Sequence, residues 1–215
     1  MTEQALHILL IDNYDSFSYN LVELLRNINN VKVSVLKNDD LSIFRDEYDG
    51  VIISPGPGLP DESAFLLEAI DFYTGKIPIL GICLGLQAIY IHQGGKLQQL
   101  KKVYHGIKDL MYREENQPAA LLESVPEEFH AGRYHSWVAD ETTLPSDINV
   151  TARDEKNHIM AIEDTTQNIY AVQFHPESYM TKIGNKIVQN FIDLTLKLQR
   201  NRISEIKSKE DSFLQ

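Results

Sequence analysis

Ile77-Pro78-Ile79-Leu80-Gly81-Ile82-Cys83-Leu84-Gly85-Leu86-Gln87-Ala88-Ile89-Tyr90-Ile91 passes from an apolar run through a sharp turn into helical spacing, and its reading decides the fold. A turn that presents a nucleophile between a strand and a helix needs small residues two places before and after it. Backbone from neighbouring elements comes close there. Gly81 and Gly85 occupy those places around Cys83. Cys83 is the only cysteine of the chain, and the N-terminus of the following helix is placed to favour negative charge on its sulfur. A lone cysteine packed as a small hydrophobe is the competing reading, but such a residue needs no flanking glycines. Cys83 is therefore read as a nucleophile.

Working outward, His7-Ile8-Leu9-Leu10-Ile11 and Gly50-Val51-Ile52-Ile53 read as fully buried strands, while Val31-Lys32-Val33-Ser34-Val35-Leu36 alternates as a strand near a sheet edge does. Between them Phe17, Leu21, Leu24, Leu25 and Ile28 recur at helical spacing, with Asp15 or Ser16 as N-cap. The preceding Asp12-Asn13-Tyr14-Asp15 turn is read as capping the chain. Phe65, Leu66, Ala69, Ile70 and Tyr73 predict a second helix from near Asp61. Strands alternating with helices imply an α/β fold with a doubly wound, mostly parallel sheet whose ligands bind outside the carboxyl ends of the strands. After Gly94-Gly95 short strand-like pieces dominate, at 97–100, 107–111, 137–138, 148–152, 159–162 and 169–174. No Pro/Ser-rich linker intervenes, so they predict an antiparallel extension of the same domain.

Ser54-Pro55-Gly56-Pro57-Gly58 follows the Gly50–Ile53 strand and falls on the Cys83 side of the sheet. Two prolines stiffen it and leave backbone donors at Ser54, Gly56 and Gly58. With the N–H of Leu84, one residue after the nucleophile, such a loop suits the oxyanion of acyl transfer. In Gln173-Phe174-His175-Pro176-Glu177, strand alternation turns Gln173, His175 and Glu177 to one face. A base beside an orienting acid is what a cysteine nucleophile requires, which makes Cys83, His175 and Glu177 a candidate triad. His135, in Arg133-Tyr134-His135-Ser136-Trp137, is the rival base and lacks the neighbouring carboxylate. The acid follows the histidine directly, an order that disfavours an α/β-hydrolase-type thiol esterase.

The 215 residues carry 20 basic and 31 acidic side chains, a net charge of −11, which argues against binding nucleic acid or anionic membranes. No stretch has the apolar length of a membrane span, and Met1-Thr2-Glu3-Gln4 lacks a signal peptide's basic start. A soluble, cytoplasmic protein is expected, one cysteine agreeing with a reducing compartment. No metal or cofactor is expected.

Taken together, Asp12-Asn13-Tyr14-Asp15-Ser16-Phe17, the Ser54 to Gly58 loop, Gly81 to Gln87, Arg133-Tyr134-His135-Ser136 and Gln173-Phe174-His175-Pro176-Glu177-Ser178 resemble the class I glutamine amidotransferases, of flavodoxin-like fold. More closely, they are similar to the glutaminase subunits of anthranilate synthase and aminodeoxychorismate synthase. The resemblance implies hydrolysis of glutamine through a γ-glutamyl thioester on Cys83, with His175 as base and then acid and Glu177 orienting it. Ammonia would pass to a chorismate-binding synthase subunit. It further implies an oxyanion hole from the Gly58 and Leu84 N–H groups. Substrate binding is implied at Gly56, Gly58, Gln87 and the backbone of Ser136 and Trp137. Leu86 stands where such proteins often carry histidine or methionine, and His105-Gly106-Ile107-Lys108-Asp109 departs from their pattern in a region resembling the partner-facing surface. The domain is expected over 1–197. A charged tail, 198–215, is expected to fray from Arg200. A non-catalytic interaction protein of the same superfamily is the alternative of another class, and retention of His175-Pro176-Glu177 speaks against it.

Overall fold

The computed structural model describes residues 5–115 and 117–213. Residues 1–4, on which the signal-peptide expectation falls, and the last two residues of the tail lie outside that description. The described elements are β1 (Leu6–Asp12), α1 (Ser18–Arg26), β2 (Val31–Lys37), β3 (Gly50–Ile53), α2 (Leu66–Tyr73), β4 (Ile79–Ile82), α3 (Leu84–His92), β5 (Leu97–Gln99), β6 (Ile107–Arg113), β7 (Glu128–Arg133), β8 (Trp137–Ala139), β9 (Asn149–Asp154), β10 (Ile159–Asp164), β11 (Ile169–Val172) and α4 (Gly184–Phe213).

One sheet takes the strands in the order β2-β1-β3-β4-β11-β10-β9-β6-β7. From β2 to β11 the neighbours run parallel, and from β11 onward each pair is antiparallel. β5 and β8 form a separate antiparallel pair. The α/β sheet with its antiparallel extension is thus the arrangement the sequence pattern predicts.

The period-two alternation of β1 explains its unbroken apolar run. Leu6, Ile8 and Leu10 pack with Leu21, Val22 and Leu25 of α1 and with Ile187, Val188 and Phe191 of α4. Leu9 and Ile11 face the other way, into Leu66, Ile70 and Tyr73 of α2 and Leu86, Ile89 and Tyr90 of α3. Each fully buried side chain of this size contributes on the order of 1.5–3 kcal/mol, so burial on both faces holds the strand central. β2 is an edge strand, and most of its residues are only half buried.

Several boundaries differ from the sequence reading. α1 begins at Ser18, capped by neither Asp15 nor Ser16, because the Asp15 carboxylate accepts from the Phe17 N–H at 2.7 Å and closes a turn before the helix. Asp12 supports that turn, accepting from the Asp15 N–H, the Ser18 hydroxyl and Lys37 Nζ. Burial pushes its carboxyl up, but these three donors outweigh burial and hold it below the ordinary carboxylate range. The helix expected from Asp61 is a 3-10 turn at Pro60–Glu62, and α2 starts only at Leu66 because Ala64 adopts φ 41° between them. β7 carries too few apolar residues to announce itself and is held by its register against β6, from Ile107↔Arg133 to Tyr112↔Glu128. The tail is helical through Phe213, since nothing after Gly184 breaks the helix. Among the described residues no helix is long and apolar enough to cross a membrane.

Candidate active site

Cys83 sits at φ 53°, ψ −99°, a conformation that residues with a side chain rarely adopt. The turn is that tight because β4 ends directly under α3. A Cβ on Gly81 would stand 2.6 Å from the carbonyl of Gly85, and one on Gly85 would stand 2.8 Å from the Ile53 carbonyl oxygen at the end of β3. Both glycines are therefore required by packing. The Cys83 N–H donates to the Val172 carbonyl at 2.8 Å, which ties the elbow to the last residue of β11. Whatever follows Val172 is delivered to the sulfur.

Gln173 to Glu177 follows it. β11 ends at Val172 and not at Phe174, so the chain reaches the site as a turn, closed by the Ser178 N–H donating to the His175 carbonyl. The alternation nevertheless survives. Gln173 lies against Cys83, with Nε2 3.5 Å from Sγ, while Phe174 is buried in the core against Phe129. His175 Nδ1 and Glu177 Oε1 are 2.6 Å apart. His175 is further fixed by a backbone bond to Gly132 of β7, by Thr181 Oγ1 donating to its carbonyl, and by the Phe17 and Tyr134 rings at 5.6 and 4.7 Å. Its Nε2 is buried with no hydrogen-bond partner among the described residues. Burial works against a charged imidazole here, but the Cys83 sulfur and then the Glu177 carboxylate outweigh it and push His175 up to about 10.

The rival base is committed elsewhere. His135 Nδ1 lies 3.0 Å from the Trp137 carbonyl, and its Nε2 lies 3.1 Å from Arg133 Nε. Arginine can only donate, so Nε2 accepts, and the proton is on Nδ1. Burial, reinforced by the Arg133 charge, pushes His135 down to about 3. A neutral histidine with both ring nitrogens engaged is no base for Cys83.

The Pro-Gly loop is pinned from β1. Asn13 donates through its backbone N–H to Ser54 Oγ at 2.9 Å and through Nδ2 to the Ser54 carbonyl at 2.8 Å. The Ser54 N–H donates to the Ile11 carbonyl, so of the three backbone donors expected from this loop Ser54 is spent in the sheet. Gly56 presses against the elbow, where a Cβ would lie 2.6 Å from both Asn13 Cβ and Leu84 Cδ2. Gly58 takes φ 77°, a value that suits glycine. As the first residue of α3, Leu84 has an N–H with no partner inside its helix. Loop and elbow thus meet through Gly56 and Leu84.

Gln87, one turn into α3, is buried and donates from Nε2 to the Trp137 carbonyl at 3.0 Å and to Gln173 Oε1 at 3.3 Å. The Ser136 carbonyl accepts from the Leu100 N–H. Gln87, Ser136 and Trp137 are therefore brought together beside the nucleophile, with both carbonyls already engaged inside the fold. The sequence reading missed how Arg133 takes part. It is fully buried, with Nη1 2.7 Å from Asp109 and 2.6 Å from Asp154 and its guanidinium 3.6 Å over the Tyr104 ring. No local signal announces this, because the two aspartates stand 24 and 21 residues away. A concavity of about 510 Å³ lies between Tyr112, Glu114, Glu127 and Glu128 and includes no residue of this site. Cys83 itself is 6% exposed.

A nucleophile elbow on a parallel sheet, with an oriented histidine and a backbone-donor loop, defines a class of acyl-transfer enzymes, and comparison narrows it. Residues 9–194 match the family glutamine amidotransferase class-I, and the chain belongs to that family. It is a glutamine amidotransferase. The aminodeoxychorismate/anthranilate synthase component 2 of Bacillus subtilis is 43% identical over 190 residues, covering 86% of this chain and 95% of that one. The anthranilate synthase component 2 of Saccharolobus solfataricus is 40% identical, covering 86% and 97%. The bifunctional protein TrpGD of Thermotoga maritima is 34% identical over 92% of this chain, which spans only 34% of that longer protein. Among solved structures, a putative GMP synthase subunit from Thermoplasma acidophilum superposes with a TM-score of 0.80 at 27% identity, covering 93% of this chain and 98% of that one.

Proposed function

We propose that Cys83, His175 and Glu177 hydrolyse glutamine through a cysteinyl thioester. His175 Nε2 holds the proton taken from the Cys83 thiol, and the sulfur bonds to the carboxamide carbon. The negative oxygen that forms rests on the Gly58 and Leu84 N–H groups. His175 then gives its proton to the nitrogen as the C–N bond breaks and ammonia leaves. Water attacks the thioester, its proton passes to His175, and glutamate departs as the thiol is restored. Glu177 keeps the imidazole aimed by accepting from Nδ1. The α-amino end of the substrate is assigned to Gly56, Gly58, Gln87, Ser136 and Trp137; Gln87 Oε1, to which nothing donates among the described residues, suits an ammonium.

The observation that carries this reading is the 2.6 Å His175–Glu177 pair with an unpartnered Nε2, beside the chain's one cysteine in a strained elbow. Ammonia is assigned to a chorismate-using synthase subunit making anthranilate, a partner supported by the component 2 relatives. Service to aminodeoxychorismate synthesis as well is a second reading, favoured by the double name of the Bacillus subtilis relative. We place the catalytic unit in residues 1–197, with 198–215 outside it, and the protein in the cytoplasm, where a free thiol persists. Glutamate release from glutamine, with and without an anthranilate synthase subunit, tests the assignment. Cys83→Ser is expected to lower the rate at least about 10³-fold, and a variant with full activity would overturn it.

A further inference from the structure

We propose that Gln173 is a further catalytic residue, donating its side-chain N–H to the Cys83 sulfur and holding negative charge there. The proposal rests on Cys83 being the nucleophile. Gln173 is fully buried with Nε2 3.5 Å from Sγ, and the bonds around it dictate which end of its amide faces the sulfur. A carbonyl oxygen can only accept, so the Gln87 atom 3.0 Å from the Trp137 oxygen is the amide nitrogen. The same nitrogen lies 3.3 Å from Gln173, which must therefore present its oxygen to Gln87 and its –NH₂ to the sulfur. The Trp137 oxygen is itself anchored. It also accepts from His135 Nδ1, whose tautomer is set by Arg133, and Arg133 is locked between Asp109 and Asp154. A chain of hydrogen bonds, converging on the Trp137 carbonyl and with every donor and acceptor fixed, thus links a buried ion cluster to the nucleophile.

A neutral amide donor at this position adds to the His175 imidazolium on the sulfur, where the oxyanion donors do not act, and it keeps its protons when His175 gives one up. The sulfur is negative twice in the cycle, after its proton has moved to His175 and again when the thioester C–S bond breaks. In the thioester between those moments it is neutral and accepts poorly. A donor that gains strength when the charge appears stabilises those moments selectively. Glutamine is not needed here to hold the backbone, since the Gln173 N–H donates to the Met160 carbonyl whatever the side chain.

Because the chain has one cysteine, alkylation by iodoacetamide, followed by mass spectrometry across pH on the full-length protein, reads Cys83 alone. Gln173→Leu is expected to slow alkylation about tenfold at pH 7, to move the pH midpoint of alkylation upward and to lower kcat about tenfold with KM within about twofold. Gln173→Glu places a carboxylate beside the sulfur and is expected to move the midpoint further the same way. Gln173→Met serves where Gln173→Leu does not fold. An alkylation profile unchanged in the folded variants would overturn the role of Gln173. Glutaminase activity persisting in Cys83→Ala would instead overturn the nucleophile on which the proposal rests.

Discussion

His135 and His175 are buried to nearly the same degree, 5% and 2% exposed, yet one is pushed down to about 3 and the other up to about 10. Burial opposes the charged imidazole at both. What differs is the company each keeps. His135 has a guanidinium against one nitrogen and a carbonyl against the other, while His175 has a carboxylate on Nδ1 and a sulfur beside it. One fold therefore keeps two buried histidines in opposite states, one held neutral and one whose charged form is favoured. The lesson is that a histidine's role in a closed site is set by partners and not by depth.

Exchanging the roles should show the largest difference. His175→Asn is expected to lower glutamine hydrolysis about 10³-fold, whereas His135→Phe is expected to cost no more than about tenfold, both read as kcat for glutamate release. Equal losses would mean that the two histidines share the proton work.

Removing the cation that sets His135 apart acts on stability. Arg133→Met leaves Asp109 and Asp154 without their buried partner and is expected to destabilise the protein by about 3–5 kcal/mol in urea unfolding. His135 should then titrate closer to its ordinary value, by nuclear magnetic resonance of the ring. A loss below about 1 kcal/mol would show that the cluster contributes little to holding β6, β7 and β9 together.

The smallest expected effect is a difference in pH dependence. For His135 the unfolded chain gains a proton near the ordinary value of about 6.5, while the folded chain does not until about 3, so this residue lowers stability as pH falls through that window. His175 has the opposite sign, since its contribution is full below about 6.5 and is lost as pH rises toward about 10. Urea unfolding at a series of pH values should therefore lose slope on the acid side in His135→Phe and on the alkaline side in Glu177→Gln. A wild-type slope in both variants would refute the contrast.

How much of this was legible in the chain differs by region. The parallel half announced itself, because strand segments buried on both faces must be apolar, as residues 8–11 of β1 and 51–53 of β3 are, and the helices between them repeat at their own period. The proposed triad was legible because its members lie at element ends with telling neighbours, Cys83 between glycines and His175 two residues before a carboxylate. β7 was not, since a strand with few apolar residues is defined by its partner β6, and neither was the end of β11, which stops where the turn closed by Ser178 begins.

The sequence by itself determined the sheet and the elbow and pointed to the residues proposed as nucleophile, base and acid, because those follow from local periodicity and from steric demands on nearest neighbours. Only the tertiary structure decided that Ser54 spends its N–H in the sheet, that His135 is held neutral by Arg133, and that Gln173 turns its nitrogen to the sulfur. Each of those depends on groups separated by roughly two to ninety residues whose hydrogen-bond directions are set by one another, and no pattern read along the chain contains that information.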